Sequence, residues 1–118
     1  MAIATDSGID LGALERTGRQ LGLGLQDIAR IIGVDQSTLY RWRHGVSVPR
    51  AVLQTRIIQF AEMFELLRRL FAGPDLARRW IHEAKPESLG GDVTPLDVMR
   101  NGRIDRVLLL LHTLSVGG

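Results

Sequence analysis

Gln36, Ser37, Tyr40, Arg41 and His44 fall within one short stretch, and their types suit the reading of nucleic-acid edges. A Gln amide can bond adenine through two atoms, and an Arg guanidinium can do the same to guanine O6 and N7. If the stretch is helical with Leu39 and Trp42 inward, a step of 100° per residue turns Ser37, Tyr40, Arg41 and His44 outward. Gln36 then lies on the flank at the N-terminal end, where a recognition helix enters the major groove. From Gln36 to Ala61 there is no acidic residue, while Arg41, Arg43, Arg50 and Arg56 supply positive charge. That asymmetry suits a phosphate backbone. The competing reading is a packing unit whose arginines are merely solvated.

Such a face needs a helix-turn-helix to present it, and Leu25 to Gly45 has the required pattern. Two short helices crossing steeply over a tight turn need a small residue at the crossing, which Ala29 provides. Gly33 falls at the turn, where a positive φ is expected. Ile28, Ile32, Val34, Leu39 and Trp42 are spaced to pin the pair together. Asp35 is placed to cap the second helix by accepting the N–H of Ser37 or Thr38.

A chain of 118 residues is one domain or two very small ones, and 45% hydrophobic residues suffice for a packed core. The formal net charge of +2 is too small to argue for nucleic acid, so the basic segment carries that argument. Absence of Cys excludes disulfides, zinc fingers and thiol catalysis, and fits a reducing cytoplasm. Met1 to Asp6 does not read as a signal peptide, and the longest apolar run, Val107 to Leu111, is far short of a membrane span. The expectation is a soluble cytoplasmic protein without metal or cofactor.

The remaining elements are expected to be helical, giving an all-α fold. Residues 1–9 read as a loose arm, followed by a helix from Leu11 to Leu21 and a break at Gly22 and Gly24. Gly24 is placed to cap the helix that starts at Leu25. After Val46-Ser47-Val48, Pro49 opens a long helix to Ala72. Leu53, Ile57, Phe60, Phe64, Leu67 and Phe71 follow steps of four and three, widened by Ile58, Ala61 and Leu70. A helix of that length, roughly 35 Å, exceeds what three small helices need for cover. Part of its stripe is expected to face a second copy of the chain, the competing cover being the C-terminal third. Asp75 to Ala84 is the next helix, with Leu76, Ala77, Trp80 and Ile81 on its inner side. A loop over Lys85–Thr94, a short helix from Pro95 to Asn101-Gly102, and a last one from Arg103 to Leu114 complete the chain. The expected division is residues 1–48 for DNA, 49–72 as connecting helix, and 73–118 as a second functional unit.

That last unit, from Leu70 onward, resembles the toxin-binding domain of the Xre/MbcA/ParS family of antitoxins. The resemblance rests on Leu70-Phe71, Ala77-Arg78-Arg79-Trp80-Ile81, Leu89-Gly90-Gly91, Thr94-Pro95-Leu96-Asp97-Val98, Gly102, and Val107 with the leucines after it. With the helix-turn-helix upstream, it covers nearly the whole chain in the family's domain order. It departs from the family at Lys85-Pro86-Glu87-Ser88, where a Pro-Asn pair is frequent. The resemblance implies an antitoxin that binds a RES-domain toxin, blocks the cleft where that toxin destroys NAD, and represses the shared operon. Candidate toxin contacts are Arg79, Trp80, Ser88, Leu89, Gly90, Gly91 and Thr94. Taken by itself, Trp80 is as readily a core residue, and Arg79 as readily solvated.

An enzyme is not expected. His44, His82 and His112 fall on separate elements with no ligand spacing, and no phosphate loop or nucleophile–base order is present. The rival function is a freestanding phage-type repressor whose C-terminal half only dimerises.

Overall fold

Asp10 starts the helical part of the chain by accepting the Ala13 N–H at 3.0 Å, and α1 follows over Leu11–Gln20. In this computed structural model, which describes residues 4–5 and 8–117, the other helices are α2 (Leu25–Ile32), α3 (Gln36–Arg43), α4 (Ala51–Leu70), α5 (Pro74–Glu83), α6 (Pro95–Arg100) and α7 (Ile104–Gly117). The all-α expectation holds for these elements. The arm before α1 differs: strand β1 (Ala4–Thr5) pairs antiparallel with β2 (Gly8–Ile9), Ala4 opposite Ile9 and Thr5 opposite Gly8. The rest of the arm, residues 1–3 and 6–7, lies outside the described residues.

The helix-turn-helix forms as its pattern dictates. Gly24 caps α2, its own N–H held by the Asp27 carboxylate at 3.3 Å. Gly33 ends α2 with φ 94°, a left-handed conformation that favours glycine, and the Arg56 guanidinium lies close over it. Ile28, Ala29, Ile32, Leu39 and Trp42 are buried, with Val34 packed against them.

The long helix is shorter than its apolar pattern suggests. Pro49 precedes the cap residue Arg50 rather than opening the helix, and Phe71 turns extended at the other end. Twenty residues at 1.5 Å rise give about 30 Å. Its buried side is Ile57, Phe60, Met63, Leu66 and Leu67. Met63 and Leu66 belong to the seam although the four-and-three spacing passes over them, because α2, α5 and α7 all pack on α4 and widen the covered face. Leu53, Phe64 and Phe71 are half-buried, and Ile58 is exposed.

The two halves share one core. Helix α4 packs on α2 and α7, α1 meets α5, and α2 meets α6. Polar ties follow the same contacts. Arg100 on α6 donates through Nε and Nη2 to Asp27 on α2, at 2.9 and 2.6 Å. His82 on α5 bonds the Leu21 carbonyl at 2.9 Å. Leu76, expected on the inner side of α5, is exposed, because only Ala77 and Ile81 of that helix reach full burial. No helix among the described residues is long and apolar enough to cross a membrane.

Candidate nucleic-acid interface and C-terminal docking face

Helix α3 begins with a dense hydrogen-bond network. The Asp35 Oδ1 accepts the Thr38 N–H at 2.8 Å, the Thr38 hydroxyl at 2.6 Å and the Ser37 hydroxyl at 2.9 Å. The Thr38 hydroxyl, then its N–H and the Ser37 hydroxyl hold the Asp35 carboxyl down to about 2, against the cost of burial and with help from Arg41. Thr38 also accepts from Arg41 Nη2 at 3.0 Å, so the guanidinium is oriented by the capping network itself. This fixes the start of the helix and one of its basic side chains together.

The outward face matches the expected one. Gln36, Ser37, Tyr40, Arg41 and His44 are all exposed. Gln36, Ser37, Tyr40 and His44 line a single depression of about 380 Å³ with Glu15, Leu25, Leu39 and Arg43, whereas Arg41 lies outside it. Tyr40 and His44 stack edge to face with ring centroids 4.0 Å apart. An α-helix about 10–12 Å across fits the width of a major groove, and eight residues give α3 about two turns to lie in it.

Two of the four arginines credited with phosphate charge are committed elsewhere. Arg43 pairs with Glu15 of α1, which fastens α3 to the helix behind it. Arg56 donates to the Ile32 carbonyl at 3.2 Å, satisfying the C-terminus of α2 beside the turn. Sequence spacing gives no sign of either tie, since each joins residues far apart in the chain.

The C-terminal candidates separate into a surface and its supports. Arg79 is exposed and pairs with Glu83 at 3.6 Å, a solvated i,i+4 contact. Trp80 is half-buried against Phe71, with centroids 5.8 Å apart. Ser88 is exposed on a 3₁₀ turn over Glu87–Leu89, and Gly90 and Gly91 follow with φ 112° and 79°. Leu89 is only 4% exposed and anchors this loop in the core, so it is corrected from contact to support. Thr94, partly exposed, caps α6 by accepting the Asp97 N–H at 3.1 Å, while Asp97 accepts the Thr94 N–H at 3.1 Å. That capping box, backbone N–H first, lowers the Asp97 carboxyl below its usual range.

The three histidines stay apart. His44 stacks on Tyr40, His82 meets the Leu21 carbonyl, and His112 meets Glu62 at 2.7 Å.

A helix-turn-helix with this cap, turn and exposed face defines a class of domain, and residues 2–57 match the Antitoxin Xre-like helix-turn-helix domain. The likeness extends past that domain. Over 106 residues the chain is 29% identical to the Mycobacterial cidal antitoxin MbcA of Mycobacterium tuberculosis and of Mycobacterium bovis, covering 90% of this chain and 88% of theirs. A chain in the crystal structure of the M. tuberculosis MbcT–MbcA toxin–antitoxin complex superposes with a TM-score of 0.64 at 24% identity, covering 91% of this chain and 94% of that one. The N-terminal half thus matches an Xre-like helix-turn-helix domain, and the chain as a whole is similar to the MbcA antitoxins over nine-tenths of its length.

Proposed function

We propose that the chain is an antitoxin: it binds and inhibits a RES-type NAD-degrading toxin by covering its active-site cleft, and it represses its own operon through α3. The observation that carries this reading is the extent of the likeness, which spans the helix-turn-helix and the C-terminal half in one alignment covering 90% of the chain. In this reading residues 1–48 contact DNA through Gln36, Ser37, Tyr40, Arg41 and His44. Residues 49–72 connect, and residues 73–118 meet the toxin in the cytoplasm. Arg79, Trp80, Ser88, Gly90, Gly91 and Thr94 form the contact, supported from below by Leu89.

A homodimer fits the DNA role, because two copies of α3 spaced by about 34 Å would read a palindromic site. Ile58, Leu109 and Val116 remain exposed for such a contact, α7 having covered most of the α4 seam. Co-expression with the product of the neighbouring reading frame, expected to be a RES-domain toxin, followed by pull-down and growth measurement, tests the toxin arm. A stable complex and restored growth are expected. No complex and no rescue would return the chain to the repressor class.

A further inference from the structure

A groove unrelated to α3 opens where α1, the end of α4 and the start of α5 meet. It encloses about 500 Å³, within the range of pockets that take a small ligand or one or two large side chains. Its floor is apolar: Leu21, Phe64, Leu67, Phe71 and Ala77. Arg16 and Arg68 stand in its lining, and no carboxylate does among the described residues. Each arginine has an exposed carboxylate partner nearby, Asp10 at 4.0 Å and Glu65 at 3.0 Å. The solvated Arg68–Glu65 pair is weak and exchanges readily for a better-desolvated anion. Phe71 lines the groove and its ring packs against Trp80, so the groove borders the face proposed for the toxin.

We infer that this groove is the anchor pocket for the partner toxin, taking a large apolar side chain flanked by an acidic residue. The inference rests on the antitoxin reading and specifies where its binding energy concentrates. The chemistry follows from the lining. An apolar floor removes the anchor from water, and a carboxylate at the rim answers the two guanidinium groups. Interface energy commonly concentrates in one such filled pocket rather than spreading over the contact area. The groove also explains why Phe64 and Phe71 stay half-exposed while their neighbours Leu66 and Leu67 are fully covered.

Two substitutions at the groove mouth test this in the full chain. Ala72 is exposed and lines the groove, so Ala72→Trp fills the space without removing a core contact. Arg68→Glu reverses one rim charge on an exposed side chain. Affinity for the purified RES-domain toxin should fall roughly tenfold or more in each, as loss of a central anchor does. Ala72→Ser, which leaves the groove open, should bind as the parent does. The Arg68→Glu loss should shrink at high salt through screening, and the Ala72→Trp loss should not. Operator affinity should be unchanged, since α3 lies elsewhere. If the parent binds toxin and both variants bind it equally well, the groove assignment is overturned while the antitoxin reading stands. If the parent binds no toxin, both fall together, on the parent measurement alone.

Discussion

Arg41 is oriented by Thr38, which also bonds Asp35, so the side chain proposed to read bases and a helix cap share one hydroxyl. Arg41→Ala should remove a contact without touching the core, and operator affinity should drop by about 1–3 kcal/mol, the range for one good base contact. Tyr40→Ala should lose affinity as well, since Tyr40 lies in the depression with Gln36 and His44. Gel shift or anisotropy gives the loss, and an unchanged thermal melt shows that the fold is intact. The same network predicts an acid limb. The Asp35 carboxyl is held at about 2 in the fold against 3.8 outside it, so the unfolded chain binds more protons between those values. Its stabilisation is present above about pH 4 and is lost as pH falls toward 2. Asp97 is shifted the same way by Thr94 and acts in the same direction. Asp35→Asn keeps a capping oxygen but cannot titrate, so helicity followed down in pH should show a shallower acid limb in that variant.

The elements divide by how far their formation depends on local sequence. Helix α3, its cap and the turn at Gly33 were legible in the residues, because a carboxylate N-cap and a positive φ act over three or four positions. Gln36, Ser37, Tyr40, Arg41 and His44 were placed correctly on the outward face for the same reason. The seam of α4 was only partly legible. Its periodicity identified Ile57, Phe60 and Leu67, but Met63 and Leu66 are buried too, in a helix covered by α2, α5 and α7, whose positions no spacing within α4 reveals. Loop residue Leu89 reads as recognition in sequence and is core in space, because burial of a loop residue depends on what folds over it. Phe60, fully buried at the centre of α4, should cost about 3–5 kcal/mol on truncation to Ala, read by denaturant unfolding. Thr94→Ala should cost about 1 kcal/mol through loss of the α6 capping box.

For the whole molecule, the decisive feature is that the helix-turn-helix is not a detachable head. Its α1 and α2 cover α4, α5 and α6, and the Asp27–Arg100 and Leu21–His82 bonds cross the same boundary. A fragment beginning at Val48 would expose Ile57 and Ile81, both fully buried in the intact chain. It should unfold at lower denaturant and less cooperatively than the full chain, as circular dichroism would show. The proposed toxin-binding and operator-binding roles should therefore separate by point substitution rather than by truncation. Arg41→Ala should lose the operator and keep the toxin, and Ala72→Trp should do the reverse.

The central claim is that this chain silences an NAD-degrading toxin. The most direct measurement is the rate of NAD loss catalysed by a purified RES-domain toxin, the partner proposed for this chain, followed as the full chain is titrated in. The rate should fall toward zero as the chain reaches stoichiometric amounts, and Arg41→Ala should inhibit as well as the parent. An undiminished rate with the chain in clear excess would contradict the account.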